Sequence, residues 1–407
     1  MVVYVINKHG KPLMPCKPSK ARKLLKQKKA KVVRKEPFTI QLLYGSYGYK
    51  QEINLGVDCG SKTVGLSATT NQIELFSAEL QLRNDIVDLL STRRETRRTR
   101  RNRLRYRKAR FDNRVGRKKK GWLAPSIENK INAHLNIIGK IHNILPITKI
   151  IVETASFDIQ KIKNPNIEGK EYQEGEQLGF WNVREYVLFR DGHKCCVKGC
   201  KETILNVHHI ESRKTGGNAP NNLITICEKH HKMFHEGKLK LNLQRGQSFR
   251  DATFMGIMRW TFYNRLKELY SNVQNTYGYI TKNTRIVNGL PKEHRVDARC
   301  ISGNPNAKPL KYWYFIKQVR KHNRKIHKSN ILKGGRKKLN QSPYLVKGFR
   351  LFDKVEYEGK IGFIFGRRAT GYFDIRTLDG TSIHKSASYK KIKLLNIRKT
   401  LLIERRV

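Results

Sequence analysis

Short apolar runs divided by turn residues fill the first eighty positions, the spacing of strands rather than helices. Val2–Ile6 reads as a strand. A basic helix follows near Ser19–Lys29, then a strand near Val32–Leu43. Ile53–Asp58 is a strand ending on an acid, and Thr63–Thr69 with Gln72–Glu79 completes a three-stranded meander. From about Asn84 to Asn113 no Pro or Gly intervenes and arginine, a good helix former, dominates, so a helix is expected. An apolar helix over 129–145 precedes a buried strand, Ile147–Thr154, which carries Glu153 at its end. Residues 160–179 are polar and contain glycine, as a linker does. Further on, the pattern predicts a helix over 248–271, a strand over 276–282 and a helix over 291–302 that begins at Pro291. The tail alternates apolar and polar positions between Gly348, Gly359, Gly362, Gly366, Gly371 and Gly380, which predicts a small antiparallel barrel.

Charge changes this picture most. The 407 residues hold 85 Lys+Arg against 32 Asp+Glu, a formal net charge of +53. A free globule so charged strains against its own repulsion, so the expected partner is a polyanion. Between Arg93 and Lys120 there are sixteen Lys/Arg and two acids. Lying between strand-forming regions, this helix is read as binding nucleic acid rather than as a solvated face. No apolar run is long enough for a membrane helix, and Met1–Gly10 is too short and polar for a signal peptide.

Seven cysteines occur, four of them close together, which suits a metal site in a reducing compartment better than a disulfide framework. Cys195 with Cys200 and Cys227 with His230 make two short-spaced pairs that suit tetrahedral zinc. Cys196 competes with Cys195; the register Arg190-Asp191-Gly192-x-x-Cys favours Cys195. This leaves His208, His209, Asn222, His231 and His235 over. The pattern His-His, then Asn-x-x-x-x-Cys, then His-His-x-x-x-His resembles the HNH (ββα-metal) nucleases. That resemblance makes His209 the general base beside a hard cation and places His208, Asn222 and a last histidine around it. His231 and His235 both fit the last place.

Elsewhere Asp58 and Glu153 end strands, and His294 and Asp297 share one face of a helix at spacing i, i+3. Acids brought together from separate elements can hold paired divalent cations. The order of these pieces resembles a RuvC-like, RNase H-fold nuclease split in three with HNH inserted before its third piece. Pro12-Leu13-Met14-Pro15 and Arg97-Arg98-Thr99-Arg100-Arg101 narrow the resemblance to the IscB family, transposon-encoded relatives of the CRISPR type II effectors. The implied architecture is multidomain α/β. It comprises a PLMP domain (1–50), RuvC-I (51–82), an Arg-rich bridge helix (83–120), RuvC-II (121–165), a linker (166–180), HNH (181–240), RuvC-III (241–303), a basic RNA-interacting segment (304–342) and a small β-barrel (343–407).

The resemblance implies an RNA-guided DNA endonuclease working as a monomeric ribonucleoprotein in a prokaryotic cytoplasm, with a long structured guide RNA and double-stranded DNA as partners. HNH would cut the guide-paired strand, and Asp58, Glu153, His294 and Asp297 the displaced one. Mg²⁺ or Mn²⁺ would sit at Asp58, Glu153 and Asp297 and at His208, Asn222, His231 and His235, with structural zinc at the cysteines. Arg93, Arg94, Arg97, Arg98, Arg100, Arg101, Arg103 and Arg105 are expected to hold RNA phosphates. Arg367, Arg368, Arg376, Lys385 and Lys390 are expected to meet DNA flanking the target. A guide-free HNH homing or junction-cutting enzyme, and a non-enzymatic RNA-binding protein, are the competing readings. A packaging protein has no use for the acids.

Overall fold

The computed structural model describes residues 2–86, 88–94, 123, 125–154, 182–211, 220–246, 250–321 and 343–407. The chain forms two compact units, one of residues 1–155 with 256–407 and the other of 156–255. Among the described residues no helix is long and apolar enough to cross a membrane.

The larger unit begins with a four-stranded sheet of β1 (Val3–Ile6), β2 (Pro12–Cys16), β3 (Ala30–Arg34) and β4 (Thr39–Leu42), in the order β2-β1-β4-β3. Helix α1 (Pro18–Lys26) covers it, and Val3, Val5, Leu13, Ala21, Ile40 and Leu42 form its core. The expected long strand over 32–43 is thus two strands.

The central sheet has seven strands: β5 (Asn54–Asp58), β6 (Thr63–Thr69), β7 (Glu74–Gln81), β8 (Lys149–Glu153), β11 (Val273–Thr276), β12 (Trp313–Gln318) and β18 (Leu401–Arg406). Their order is β11-β8-β5-β6-β7-β12-β18. β5, β6 and β7 are the antiparallel meander foreseen, while β8 lies parallel to β5 and β11 parallel to β8. Leu55, Val57, Val64, Leu66, Ala68, Phe76, Ala78, Ile150 and Val152 are buried, and so are Ser67 and Thr69 of the alternate face. A sheet covered on both sides has near-continuous apolar strands instead of clean alternation.

One expectation is corrected here and two are refined. Residues 276–282 continue into α6 (Gly278–Val287), not into a strand. Tyr, Ile and Thr favour strands only weakly when tertiary contacts disagree. The basic segment 304–342 supplies β12, inserted between β7 and β18. The tail does not stay in its own domain, because β18 joins the central sheet. Its remaining strands, β13 (Lys354–Tyr357), β14 (Lys360–Arg367), β15 (Tyr372–Arg376), β16 (Ser382–Ser388) and β17 (Ile392–Asn396), pair as an antiparallel sheet in the order β16-β15-β14-β13-β17. Val355, Ile364, Phe373, Ile375 and Ala387 form that sheet's core.

Helix α2 (Pro125–His142) turns Ile131, Ile137, Ile138 and Ile141 inward. Its His134 packs on Phe262 of α5 (Arg250–Leu269), with ring centroids 5.1 Å apart. Helix α7 (His294–Ile301) rests on β5 and β6 through two glycines. A Cβ on Gly56 would stand 1.9 Å from the Ala298 carbonyl oxygen, and one on Gly65 1.9 Å from that of His294. Only glycine permits this approach.

The smaller unit packs α3 (Val183–Arg190) on the hairpin of β9 (Leu205–His209) and β10 (Leu223–Cys227), followed by α4 (Glu228–His235). Tyr186, Val187 and Leu223 are its small core. Asn182 caps α3 by accepting from the Glu185 amide at 2.9 Å. The predicted helix over 84–113 is described only at its start, helical at 86 and 88–94.

Candidate metal and acid centres

Asp58 closes β5 and Glu153 closes the parallel neighbour β8, so both acids lie at the same edge of the central sheet. The glycine seats bring the start of α7 onto that edge. His294 Nδ1 lies 2.6 Å from Asp58 Oδ2. Asp297, one turn on, pairs with Arg285 Nε of α6 at 2.9 Å. Glu153 faces buried Arg259 of α5 at 3.5 Å, and Arg259 also donates to the Cys59 carbonyl at 3.2 Å.

The electrostatics show how near the three acids are. Burial and the charge of Asp58 push both Glu153 and Asp297 above the usual carboxylate range, although Arg259 and Arg285 pull the other way. The pocket remains short of positive charge, and its donors are hard oxygens, so a divalent cation fits. The hydrogen bond that its Nδ1–H donates to Asp58 holds the His294 imidazole above its ordinary value against desolvation.

Sequence reasoning missed Arg259, Thr281 and Arg285. Thr281 hydrogen-bonds Glu153 and sits one turn before Arg285 on α6. The i, i+4 spacing was the available signal, obscured by reading the segment as a strand.

In the smaller unit two groups of ligating atoms gather, Cys195 with Cys200, Cys227 and His230, and His208 with His231 and His235. The first group sorts Cys195 from Cys196. Cys200 and Cys227 sulfurs lie 3.8 Å apart, Cys195 Sγ and His230 Nδ1 3.6 Å, and Cys227 Sγ and His230 Nδ1 3.1 Å. A tetrahedron with metal–sulfur bonds of about 2.3 Å and metal–nitrogen bonds of about 2.1 Å has edges near 3.8 and 3.6 Å. Burial raises the Cys195 thiol, but amides of Cys227 and Val197 and the His230 ring bring it down to about 7. Burial, then repulsion from Cys195, drives Cys196 up to about 11, so it stays a thiol.

The second group keeps both His231 and His235. Ring centroids of His208, His231 and His235 are 4.5 to 5.2 Å apart, and His231 Nε2 faces His235 Nε2 at 3.3 Å. Desolvation and mutual repulsion lower His208 and His231, keeping them neutral as ligands must be. His209 is outside this group and follows His208 as the last residue of β9. The amide of buried Asn222 binds the Glu211 backbone, its Oδ1 accepting from N–H at 2.8 Å and its Nδ2 donating to C=O at 3.0 Å. Asn222 thereby ties the loop that follows His209.

Of the arginines, Arg93 and Arg94 are exposed at the end of the described helical stretch, and Arg97, Arg98, Arg100, Arg101, Arg103 and Arg105 lie outside the described residues. In the C-terminal sheet Arg367 donates to the carbonyls of Pro343, Tyr344 and Phe349. Its guanidinium is committed to holding the chain before β13. Arg376 pairs with Asp374 and Arg368 donates to Ser386 Oγ, while Lys385 and Lys390 are exposed.

A family model described as RRXRR protein matches residues 3–175. Streptococcus thermophilus Cas9, in a structure of its complex with the GGAA PAM, is similar at 16% identity and a TM-score of 0.32 over 52% of this chain. The match takes in 30% of that protein's length. No curated protein matches the chain.

Proposed function

We propose that the chain is an RNA-guided DNA endonuclease of the IscB kind with two independent hydrolytic centres. The observation that carries this is the meeting of Asp58, Glu153, His294 and Asp297, drawn from β5, β8 and α7, at one sheet edge with too little positive charge. Divalent cations bound there would neutralise the scissile phosphate and the leaving oxygen. Asp58, Glu153 and Asp297 would hold them. His294, oriented through Nδ1 by Asp58, presents Nε2 to exchange a proton with the attacking water. In the smaller unit His208, His231 and His235 would hold a cation and His209 would take the proton. Cys195, Cys200, Cys227 and His230 would hold structural zinc. The net charge of +53 supports a long RNA as the counterpart, since phosphate contacts give affinity without choosing sequence. The guide then supplies the sequence, and the C-terminal sheet remains the candidate reader of flanking DNA.

The test is strand-labelled cleavage by the protein with its copurified RNA. Asp58→Ala is expected to leave only the guide-paired strand cut and His209→Ala only the displaced strand. Loss of both cuts in Asp58→Ala with target binding intact refutes the two-centre assignment. Cutting of bare DNA without RNA would instead favour a guide-free endonuclease.

A further inference from the structure

The start of α6 carries two exposed tyrosines, Tyr277 at the N-cap and Tyr279 in the first turn. Tyr277 is 42% and Tyr279 66% exposed, and their rings lie 8° from parallel with centroids 6.0 Å apart. Their position is set by the acid centre. Thr276, just before the pair, stands opposite Glu153 in the parallel β11–β8 register, and the Thr154 amide donates to its carbonyl at 2.9 Å. The Tyr277 carbonyl accepts from the amide of Thr281, whose side chain bonds Glu153. The backbone that carries the rings therefore adjoins the centre, with exposed Lys282 on the same helix.

We infer that Tyr277 and Tyr279 form a stacking platform for unpaired bases of the DNA strand whose phosphate enters the Asp58–Glu153–Asp297 centre. The inference rests on the function proposed above and adds how the cut strand is held. A strand that puts its phosphate among the acids must lay its bases outside them. Parallel exposed aromatic faces beside a lysine are the chemistry that accepts any base without reading it. The chain's excess of cations fits this occupant and not a cationic partner or a second copy of itself.

The experiment places 5-iododeoxyuridine at successive positions of the displaced strand of a target bound by the ribonucleoprotein, irradiated in EDTA. Cross-links at Tyr277 or Tyr279, found by mass spectrometry, are expected within a few nucleotides of the cut. Tyr277→Ala with Tyr279→Ala should slow displaced-strand cutting at limiting target by about five- to 140-fold per base lost from the stack. Guide-paired-strand cutting should be unchanged, and the Tyr→Phe pair should behave as wild type. Should both strands slow together in the double variant, Tyr279→Leu alone, at the more exposed position, must still slow only the displaced strand. Cross-links only to other residues or to the RNA, wild-type cutting by the Ala pair, or a Phe pair as slow as the Ala pair would each overturn the platform. A wild-type protein that cuts nothing would refute the nuclease, and the cross-links would still decide the platform.

Discussion

Gly65→Ala tests whether the seat of α7 sets the acid centre. The added Cβ would lie 1.9 Å from the His294 carbonyl oxygen and 2.4 Å from its carbonyl carbon. Ordinary contact begins near 3.4 Å, so α7 and β6 must separate by about 1.5 Å. The obstacle is backbone, so no rotamer change relieves it. His294 and Asp297 both ride on α7 and move with it, away from Asp58. A displacement of about 1 Å at a reacting group costs on the order of 10²-fold in rate. Overpacking of this kind costs about 1–3 kcal/mol of stability. Displaced-strand cutting should therefore fall about a hundredfold, with guide-paired cutting kept and unfolding shifted only modestly. Gly45→Ala is the control, since nothing lies within 4 Å of its Cβ position. Adding Gly65→Ala to His294→Ala should cost less than it costs alone, because part of its effect acts through His294 and only the shift of Asp297 remains. Displaced-strand cutting within about threefold of wild type would refute the reasoning.

His134 is buried, its Nδ1 2.7 Å from the Lys130 carbonyl, and burial lowers it from 6.5 to about 4. It is neutral in the folded chain and gains a proton on unfolding below pH 6.5, so its contribution is present above that pH and lost as pH falls toward 4. The loss should reach about 2 kcal/mol at pH 5, and urea melts of His134→Phe should show a shallower decline between pH 7 and 5 than wild type; equal declines would sink this. Cys200→Ser should lose one equivalent of bound metal by elemental analysis and the guide-paired cut, while Cys196→Ser keeps both; metal loss in Cys196→Ser would reverse the ligand assignment. Arg367→Ala should destabilise the C-terminal sheet by about 1.5–3 kcal/mol through its lost carbonyl bonds and leave flank preference as it was in a randomised-flank cleavage library. An altered preference would assign Arg367 a contact with the flanking bases.

What was legible followed from locality. Cys195, Cys200, Cys227 and His230, and His208, His231 and His235, lie within one short segment, where spacing alone brings ligands together. The structure added that both late histidines belong to the second cluster and that Cys196 does not belong to the first. The strand ends at Asp58 and Glu153 were also visible, because an apolar run that stops on an acid marks its own edge. Arg259 and Arg285 were not visible, since their meaning depends on which acid the fold sets opposite them. Nor was β18: Leu401–Arg406 looks like any other alternating strand of the tail, and only the pairing with β12 reveals where it belongs. Residues 276–282 failed for a third reason, a local preference for strand overridden by the contacts of Thr281 and Arg285.

The two centres solve one problem in different ways, and the difference explains their layout. Imidazoles can gather at little cost in charge, because burial and repulsion lower His208 and His231 and favour their neutral forms. A local hairpin and helix suffice to build that site. Three carboxylates cannot gather so freely, since Asp58 raises both Glu153 and Asp297, and Asp297 raises Glu153. Their folded, metal-free arrangement needs counter-charges at fixed places, and Arg259, Arg285 and His294 supply them only in part. All three follow residue 255, whereas Asp58 and Glu153 precede residue 156. The inserted unit thus divides the acid centre between its first two acids and the cations that offset them. The larger unit cannot complete that centre until the chain has returned from the smaller one.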